Sequence, residues 1–139
     1  MGRRIPVAEK LFTWPSNDPR LIAGRRITDG KLVFPFPDGP DAADFEPVEL
    51  GARGALWSYT VQRFPPKSPP YTGETDPKRF RPYAVGYVEL PGELIVEARL
   101  DVDDLSSLTI GQDMEMAVIP LRTNEQGDEI VTYAFRPAA

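Results

Sequence analysis

Basic and aromatic side chains are concentrated in a proline-rich stretch at 64–82, which reads FPPKSPPYTGETDPKRFRP. The cations of this stretch, together with the arginine just before it, are Arg63, Lys67, Lys78, Arg79 and Arg81. Guanidinium and ammonium groups bind phosphate and carboxylate through charge-assisted hydrogen bonds. The stretch therefore predicts a contact with an anionic ligand or with a partner protein. The alternative is a solvated loop whose charges only keep it soluble.

The side chains that usually carry catalysis are missing. The chain contains no cysteine and no histidine, which excludes disulfides, thiol redox chemistry and the nucleophile–histidine pairs of serine or cysteine hydrolases. Asp101, Asp103 and Asp104 are close in sequence, but they are more typical of the acidic start of a short helix. No Walker or Rossmann phosphate loop is present. We predict that this chain supplies no catalytic residue and binds no cofactor or metal of its own.

Composition limits the classes of partner. The 139 residues carry a net charge of −5 and the pI is about 4.8, whereas nucleic-acid-binding domains are usually basic. The aromatics Trp57, Tyr59, Tyr83 and Tyr87 could still stack on bases, as in single-strand-binding proteins, so nucleic acid remains an alternative, although a disfavoured one. No stretch approaches the roughly 20 apolar residues of a membrane span, and no signal sequence is recognisable. We expect a cytoplasmic protein without a membrane association.

The second half of the chain has the alternating pattern of β-strands. The predicted strands lie at 54–64, 81–90, 93–100, 114–122 and 129–136. In the first strand, Trp57, Tyr59 and Val61 are predicted to share one face. A short helical turn is expected at 103–108, between the third and fourth strands. Pro91-Gly92 predicts a tight turn between the second and third strands, and Gly127 predicts a hairpin loop between the fourth and fifth. This order is typical of a five-stranded OB-fold barrel, and a generic β-sandwich is the alternative.

The N-terminal segment has apolar residues at helical spacing. Val7, Leu11 and Trp14 recur three or four residues apart, with Phe12 beside them, and Pro15 disfavours continuation. The pattern predicts a helix over 5–14. Large aromatic side chains on a short, separate helix fit a groove of a partner protein, so Leu11, Phe12 and Trp14 are predicted to form a partner interface.

The segment 24–45 has two turns, Thr28-Asp29-Gly30 and Asp38-Gly39-Pro40, on either side of an apolar run. Two such turns form the knuckles of a zinc ribbon, in which each turn contributes two thiolates to one tetrahedral ion. This chain has no thiolate to contribute. The segment is therefore ribbon-like in its turns but has no metal ligands.

Several of these stretches together resemble a known family. They are LFTWPSNDPRLIAG, FPFP, GALWSYTVQRF, RPYAVGYVEL and GELIVEARL. They are similar to bacterial and archaeal proteins with an N-terminal helix and a rubredoxin-like zinc ribbon, followed by an OB-fold, often described as acyl-CoA-associated or as domain of unknown function 35. The resemblance implies a mainly β protein, with the helix and ribbon-like segment in 1–50 and the OB-fold barrel in 51–139.

In that family the ribbon reads C-x-x-C-G and then C-P-x-C. The positions that correspond to the four thiolates are Arg26, Asp29, Gly39 and Ala42. Two interpretations follow for a ribbon without metal. In the first, it has become a loop packed by Leu32, Phe34 and Phe45. In the second, an Arg26–Asp29 ion pair or a partner's surface replaces the ion.

The resemblance also implies a function. Members of this family accompany thiolase-like proteins that act on acyl-CoA thioesters, in thiolytic or retro-aldol C–C cleavage during degradation of steroid or aromatic compounds, or in acyl transfer. It implies a non-catalytic accessory subunit, with the CoA thioester as substrate of the complex. The cations around 64–82 would then contact CoA phosphates or the thiolase-like partner. The alternatives are a single-stranded nucleic-acid-binding protein and a free-standing acyl-CoA-binding module.

We predict that the protein folds without zinc, because none of the four positions carries a thiolate. Elemental analysis of the purified protein should find much less than one zinc per chain, and EDTA should leave the melting temperature unchanged. One zinc per chain, removed together with the fold by a chelator, would contradict the prediction.

Overall fold

The structure, a computed structural model, describes residues 3–8, 10–63 and 81–138. The strands of this part of the chain are β1 (Arg4–Pro6), β2 (Ile22–Arg26), β3 (Leu32–Val33), β4 (Phe45–Glu49), β5 (Arg53–Gln62), β6 (Tyr83–Glu89), β7 (Ile95–Leu100), β8 (Asp113–Thr123) and β9 (Glu129–Pro137). Two 3-10 turns, Gly39–Asp44 and Leu105–Ser107, complete the elements. Among the described residues, no helix has the length and apolar character to cross a membrane.

Strands β5 to β9 form a closed five-stranded barrel. The order β9-β7-β6-β5-β8 is completed by a further pairing of β8 with β9. The β7–β9 pair is parallel, whereas β5–β6, β5–β8, β6–β7 and β8–β9 are antiparallel. A barrel of five strands with a short helical turn between the third and fourth confirms the predicted OB-fold.

One hydrophobic core joins the barrel to the N-terminal part of the chain. Its largest fully buried side chains include Phe135, Leu56 and Met114 of the barrel and also Leu21 and Leu50. Burial of apolar surface is the main favourable term in folding. The packing of the first 50 residues therefore depends on the barrel.

The predicted N-terminal helix over 5–14 is wrong. Arg4–Pro6 is instead a strand that pairs in parallel with Glu129–Val131 of β9. Phe12 forms an antiparallel bridge with Leu21, and Lys10 has a left-handed φ of 62° that interrupts any helix. A helix this short is marginal by itself. The free edge of β9 satisfies the backbone of this segment instead, and tertiary pairing overrides the helical spacing.

A β-bulge corrects the predicted faces of the first barrel strand. Leu56 pairs with Val88, but the next pair is Ser58 with Tyr87, so Trp57 is an extra residue in β5. Leu56 is buried before the bulge, and Tyr59 packs against the core after it. Trp57 and Tyr59 were predicted to share a face, but they lie on opposite faces, and Trp57 is 56% exposed.

The predicted turns are confirmed. Gly92 has a φ of 71° in the turn between β6 and β7, where the Glu93 amide donates to the Leu90 carbonyl at 3.0 Å. Gly127 has a φ of 82° in the loop between β8 and β9. Both positions need the left-handed conformation that glycine adopts without a steric penalty.

The segment after the N-terminal strand forms a small antiparallel sheet in the order β3-β2-β4. It contacts the barrel through Phe34, whose ring lies edge-on to Tyr133 with the centroids 5.6 Å apart. Burial raises the pKa of Tyr133, and its hydroxyl donates to the Glu97 carbonyl at 2.9 Å. Tyr133 thus connects the small sheet to strand β7.

Gly86 of β6 lies where a neighbouring strand and core side chains approach closely. A Cβ there would meet the Ser58 carbonyl oxygen at 2.8 Å and a methyl of Leu100 at 2.9 Å. We expect Gly86→Ala to lower the free energy of unfolding by about 1–3 kcal/mol, because the added methyl overpacks the core. Urea denaturation measures this change. Gly51→Ala is the control, since its Cβ meets only the Glu93 side chain, at 3.2 Å. Equal effects of the two substitutions would contradict the prediction.

Candidate functional site

A cleft of about 500 Å³ lies at one end of the barrel. It forms where β5 ends, β6 begins and β7 ends, because Gln62 pairs with Tyr83 and Ala84 pairs with Leu100. The described residues that line it are Arg63, Pro82, Tyr83, Arg99, Leu100, Asp101, Val102, Asp103, Leu105, Ile119 and Pro120. Apolar walls with a few converging charged groups are typical of a ligand-binding cleft.

Arg99 is the side chain that sequence reasoning missed. Its guanidinium carbon lies 3.8 Å from the centroid of the Tyr83 ring, which is a close cation–π arrangement. Among the described residues, no carboxylate lies within ion-pair distance of Arg99 or Arg63. Arg99 lies on the outward face of β7, together with Ile95 and Glu97. It lies beside Tyr83 because it pairs with Val85, two residues after Tyr83 on β6. Two arginines of the cleft are thus not neutralised by any carboxylate of the described residues.

The cleft also contains carboxylates. Asp101 and Asp103 line it, and Asp104 caps the 3-10 turn Leu105–Ser107 by accepting from the Ser106 amide at 3.0 Å. Hydrogen bonds from Ser106 lower the pKa of Asp104. This confirms the prediction of a short helical turn with an acidic start. A ligand here would meet donors from the arginines and acceptors from the aspartates.

The structure brings only part of the predicted basic cluster to this cleft. Arg63 lines it, and Arg81 is exposed next to Pro82, which also lines it. Lys67, Lys78 and Arg79, which were predicted to belong to the same cluster, lie outside the described residues. Among the described residues, Arg63 and Arg99 are therefore the cations that line the cleft.

The N-terminal aromatic residues lie elsewhere. Phe12 is 4% exposed and belongs to the core, which corrects its assignment as a partner contact. Leu11 and Trp14 are half-buried and pack against that core. The Trp14 indole N–H donates to the Arg4 carbonyl at 3.3 Å, and the Arg4 guanidinium lies 5.3 Å from its ring. A role for Leu11 and Trp14 in an interface stays a prediction.

The residues at the four ribbon positions do not fit a metal. Arg26 and Asp29 form an ion pair at 3.1 Å, while Gly39 and Ala42 have no side-chain donor atom. A backbone hydrogen bond from Lys31, and then the nearby Arg26, lower the pKa of Asp29. No group of three or more acidic, histidine or cysteine residues within the described ranges is placed to hold an ion.

The segment is a small sheet and not the loop of the first interpretation, although the apolar packing of that interpretation and the ion pair of the second are both present. The chain before the first turn pairs with the chain after the second, because Arg26 pairs with Phe45 and the Ile27 amide donates to the Asp44 carbonyl at 2.9 Å. The Arg26 guanidinium also lies 5.7 Å from the Phe45 ring. Leu32 and Phe34 pack against the core. An ion pair thus occupies the first turn, while apolar packing attaches the small sheet.

Characterised proteins are similar to this chain over part of their length. Benzoylsuccinyl-CoA thiolase subunit BbsA of Thauera aromatica is 31% identical over 93 residues, which are 67% of this chain and 57% of that subunit. The subunit of the same name from Geobacter metallireducens is 29% identical over 96 residues, which are 69% of this chain and 58% of that subunit. The chain thus spans less than two thirds of the length of these relatives.

A solved structure and a domain family agree with the fold. The structure described as an Ltp2-ChsH2(DUF35) aldolase contains a chain that superposes with a TM-score of 0.59 at 24% identity, covering 86% of each chain. This similarity shows the fold alone. Residues 47–118 match the family described as the C-terminal OB-fold domain of ChsH2, and because the match spans more than half of the 139 residues, the chain belongs to that family.

Proposed function

We propose that this chain is a non-catalytic accessory subunit of a thiolase-like enzyme that acts on acyl-CoA thioesters. The reaction class is thiolytic or retro-aldol C–C cleavage, or acyl transfer, in the degradation of steroid or aromatic compounds. The similarity to a thiolase subunit in two organisms supports the partner class. The chain has no cysteine or histidine for nucleophilic chemistry, which supports an accessory role.

The observation that carries the link to CoA is the convergence of Arg63 and Arg99 on one cleft. CoA has a 3′-phosphate and a pyrophosphate, and guanidinium groups bind such oxygens with paired hydrogen bonds. The Tyr83 ring holds the Arg99 side chain from one side, which reduces the entropy lost on binding. Asp101 and Asp103 can accept hydrogen bonds from hydroxyl or amino groups of the same ligand. The thioester end would then extend from the cleft toward the partner's catalytic residues.

Substitution of the two cleft arginines tests this assignment in the assembled enzyme. We expect Arg63→Ala and Arg99→Ala each to raise the KM for the CoA thioester, by the equivalent of about 1–3 kcal/mol for a lost charge-assisted hydrogen bond. The kcat should change little, because neither side chain takes part in the chemical step. Arg122→Ala is the control, since Arg122 is exposed on β8 and does not line the cleft. An unchanged KM in both cleft variants would overturn the assignment of CoA to the cleft.

Calorimetry of the lone chain separates the functional alternatives. Heat on titration with CoA, reduced for dephospho-CoA, would support a phosphate contact that this chain makes by itself, as in a free-standing acyl-CoA-binding module. Salt-dependent affinity for single-stranded oligonucleotides would instead favour the nucleic-acid-binding alternative. Failure to form a complex with a thiolase-like protein from the same host would overturn the accessory-subunit proposal.

A further inference from the structure

A group of large apolar side chains is exposed together on the outside of the barrel. Trp57, Tyr87 and Ile95 are 56%, 43% and 42% exposed, although they lie on the neighbouring strands β5, β6 and β7. The Trp57 and Tyr87 rings are edge-on, with centroids 6.3 Å apart. Ile95 pairs with Glu89, two residues from Tyr87 on β6. Single exposed apolar residues are ordinary, whereas a contiguous group marks an interaction surface.

Two carboxylates lie within this group. Glu97 pairs with Tyr87 across the sheet, and its Oε2 accepts from the Tyr87 hydroxyl at 3.1 Å. This hydrogen bond raises the pKa of Tyr87 and holds the Glu97 carboxylate beside the ring. Glu89 is exposed next to Ile95. Among the described residues, no cation lies within 4 Å of either carboxylate. We call these five residues, Trp57, Tyr87, Glu89, Ile95 and Glu97, the acidic aromatic face.

The negative charge of this face favours a partner with a positively charged side chain. Aromatic rings and carboxylates together attract a guanidinium or ammonium group, through the ring quadrupole and through ion pairing. The same carboxylates repel the phosphates of a nucleic acid, which disfavours base stacking at these rings. The complementary surface is therefore a protein surface that presents a basic side chain among apolar ones.

We infer that the acidic aromatic face docks the thiolase-like subunit, through a segment of that subunit that places an arginine or lysine among apolar side chains. This inference rests on the proposed function for the identity of the partner. It adds the surface and the charge of the segment that binds there. Arginine and aromatic residues are enriched at the energetically dominant centres of protein interfaces.

The face and the cleft are separate enough to test independently. The cleft lies at the Tyr83 end of β6 and the acidic aromatic face at its Glu89 end. Tyr83 and Glu89 are six residues apart, or about 20 Å at roughly 3.3 Å per residue, whereas Glu97 of the face and Arg99 of the cleft are only two residues apart on β7. Substitution of Glu89 or Trp57, which are each six residues from the cleft along their strands, should therefore leave the cleft intact.

Neutral substitutions of the two carboxylates test the charge complementarity. The thiolase-like subunit is co-purified from the host with the tagged chain, identified by mass spectrometry and then titrated with each variant. We expect Glu89→Gln combined with Glu97→Gln to weaken binding at least tenfold at low salt and by a smaller factor at high salt, because ion pairing is screened. Glutamine keeps the shape and can still accept from Tyr87. Glu125→Gln, in the exposed loop between β8 and β9, is the control and should leave affinity unchanged.

Substitution of Trp57 tests the apolar part of the same surface. Trp57→Ser should weaken binding at least tenfold while Leu121→Ser, at a residue 38% exposed on β8, should not. Circular dichroism and the urea midpoint are measured for each variant to show that the fold is intact. A chain that carries only Trp14→Phe has Trp57 as its single tryptophan. Its fluorescence should shift to the blue when the subunit binds.

The outcomes distinguish the two proposals. A complex that forms normally with the carboxylate and Trp57 variants would overturn the docking inference and leave the accessory-subunit proposal standing. A thiolase-like subunit that does not bind the unmodified chain would overturn both. If the chain self-associates and these variants abolish the self-association, the occupant of the face is a second copy of the chain. If the chain binds oligonucleotides and Trp57→Ser abolishes that binding, the occupant is nucleic acid. Either of these results would also overturn the inference.

Discussion

The structure depends on the requirement that one strand, β5, pair with two neighbours to close the barrel. Its first residues, Arg53 to Ala55, pair with β8, while Ala55 to Gln62 pair with β6. The extra residue Trp57 bends this strand and increases its twist, which favours closure of the sheet into a barrel. The bulge also changes which side chains face inward, from Leu56 before it to Tyr59 after it. Barrel closure thus fixes both the core and the exposed position of Trp57.

The two candidate functional regions follow from this geometry. Past the bulge, β5 continues to Gln62 and places Arg63 at the end of the barrel where Tyr83 and Arg99 meet. At the bulge, the displaced Trp57 meets Tyr87 on the outer face. In the part of the chain that the structure describes, the cleft has two guanidinium groups without a carboxylate partner, and the acidic aromatic face has two carboxylates without a cation partner. The cleft contains both arginines and aspartates, whereas the charged residues of the acidic aromatic face are carboxylates.

The ribbon-like segment shows how a small sheet persists when its residues do not fit a metal. The Arg26–Asp29 ion pair is half exposed, and exposed pairs contribute little to stability. Apolar contacts are the stronger attachment, since Leu32 and Phe34 pack against the core and Phe34 meets Tyr133. Tyr133 in turn donates to β7. The segment is therefore held by the barrel, whereas a zinc ribbon is held mainly by its own ion.

The sequence by itself determined the barrel strands, the turns at Gly92 and Gly127 and the short acidic 3-10 turn, because alternation and positive-φ glycines are local signals. It also identified Arg63 as a candidate ligand contact. Only the tertiary structure decided the rest. The N-terminal strand Arg4–Pro6 replaces a predicted helix because a distant strand, β9, offers a free edge. Trp57 is exposed because a bulge is set by the pairing of β5 with β6, a strand far away in sequence, and Arg99 joins the cleft through the register of the β6–β7 hairpin; alternation within one strand specifies neither the bulge nor the pairs.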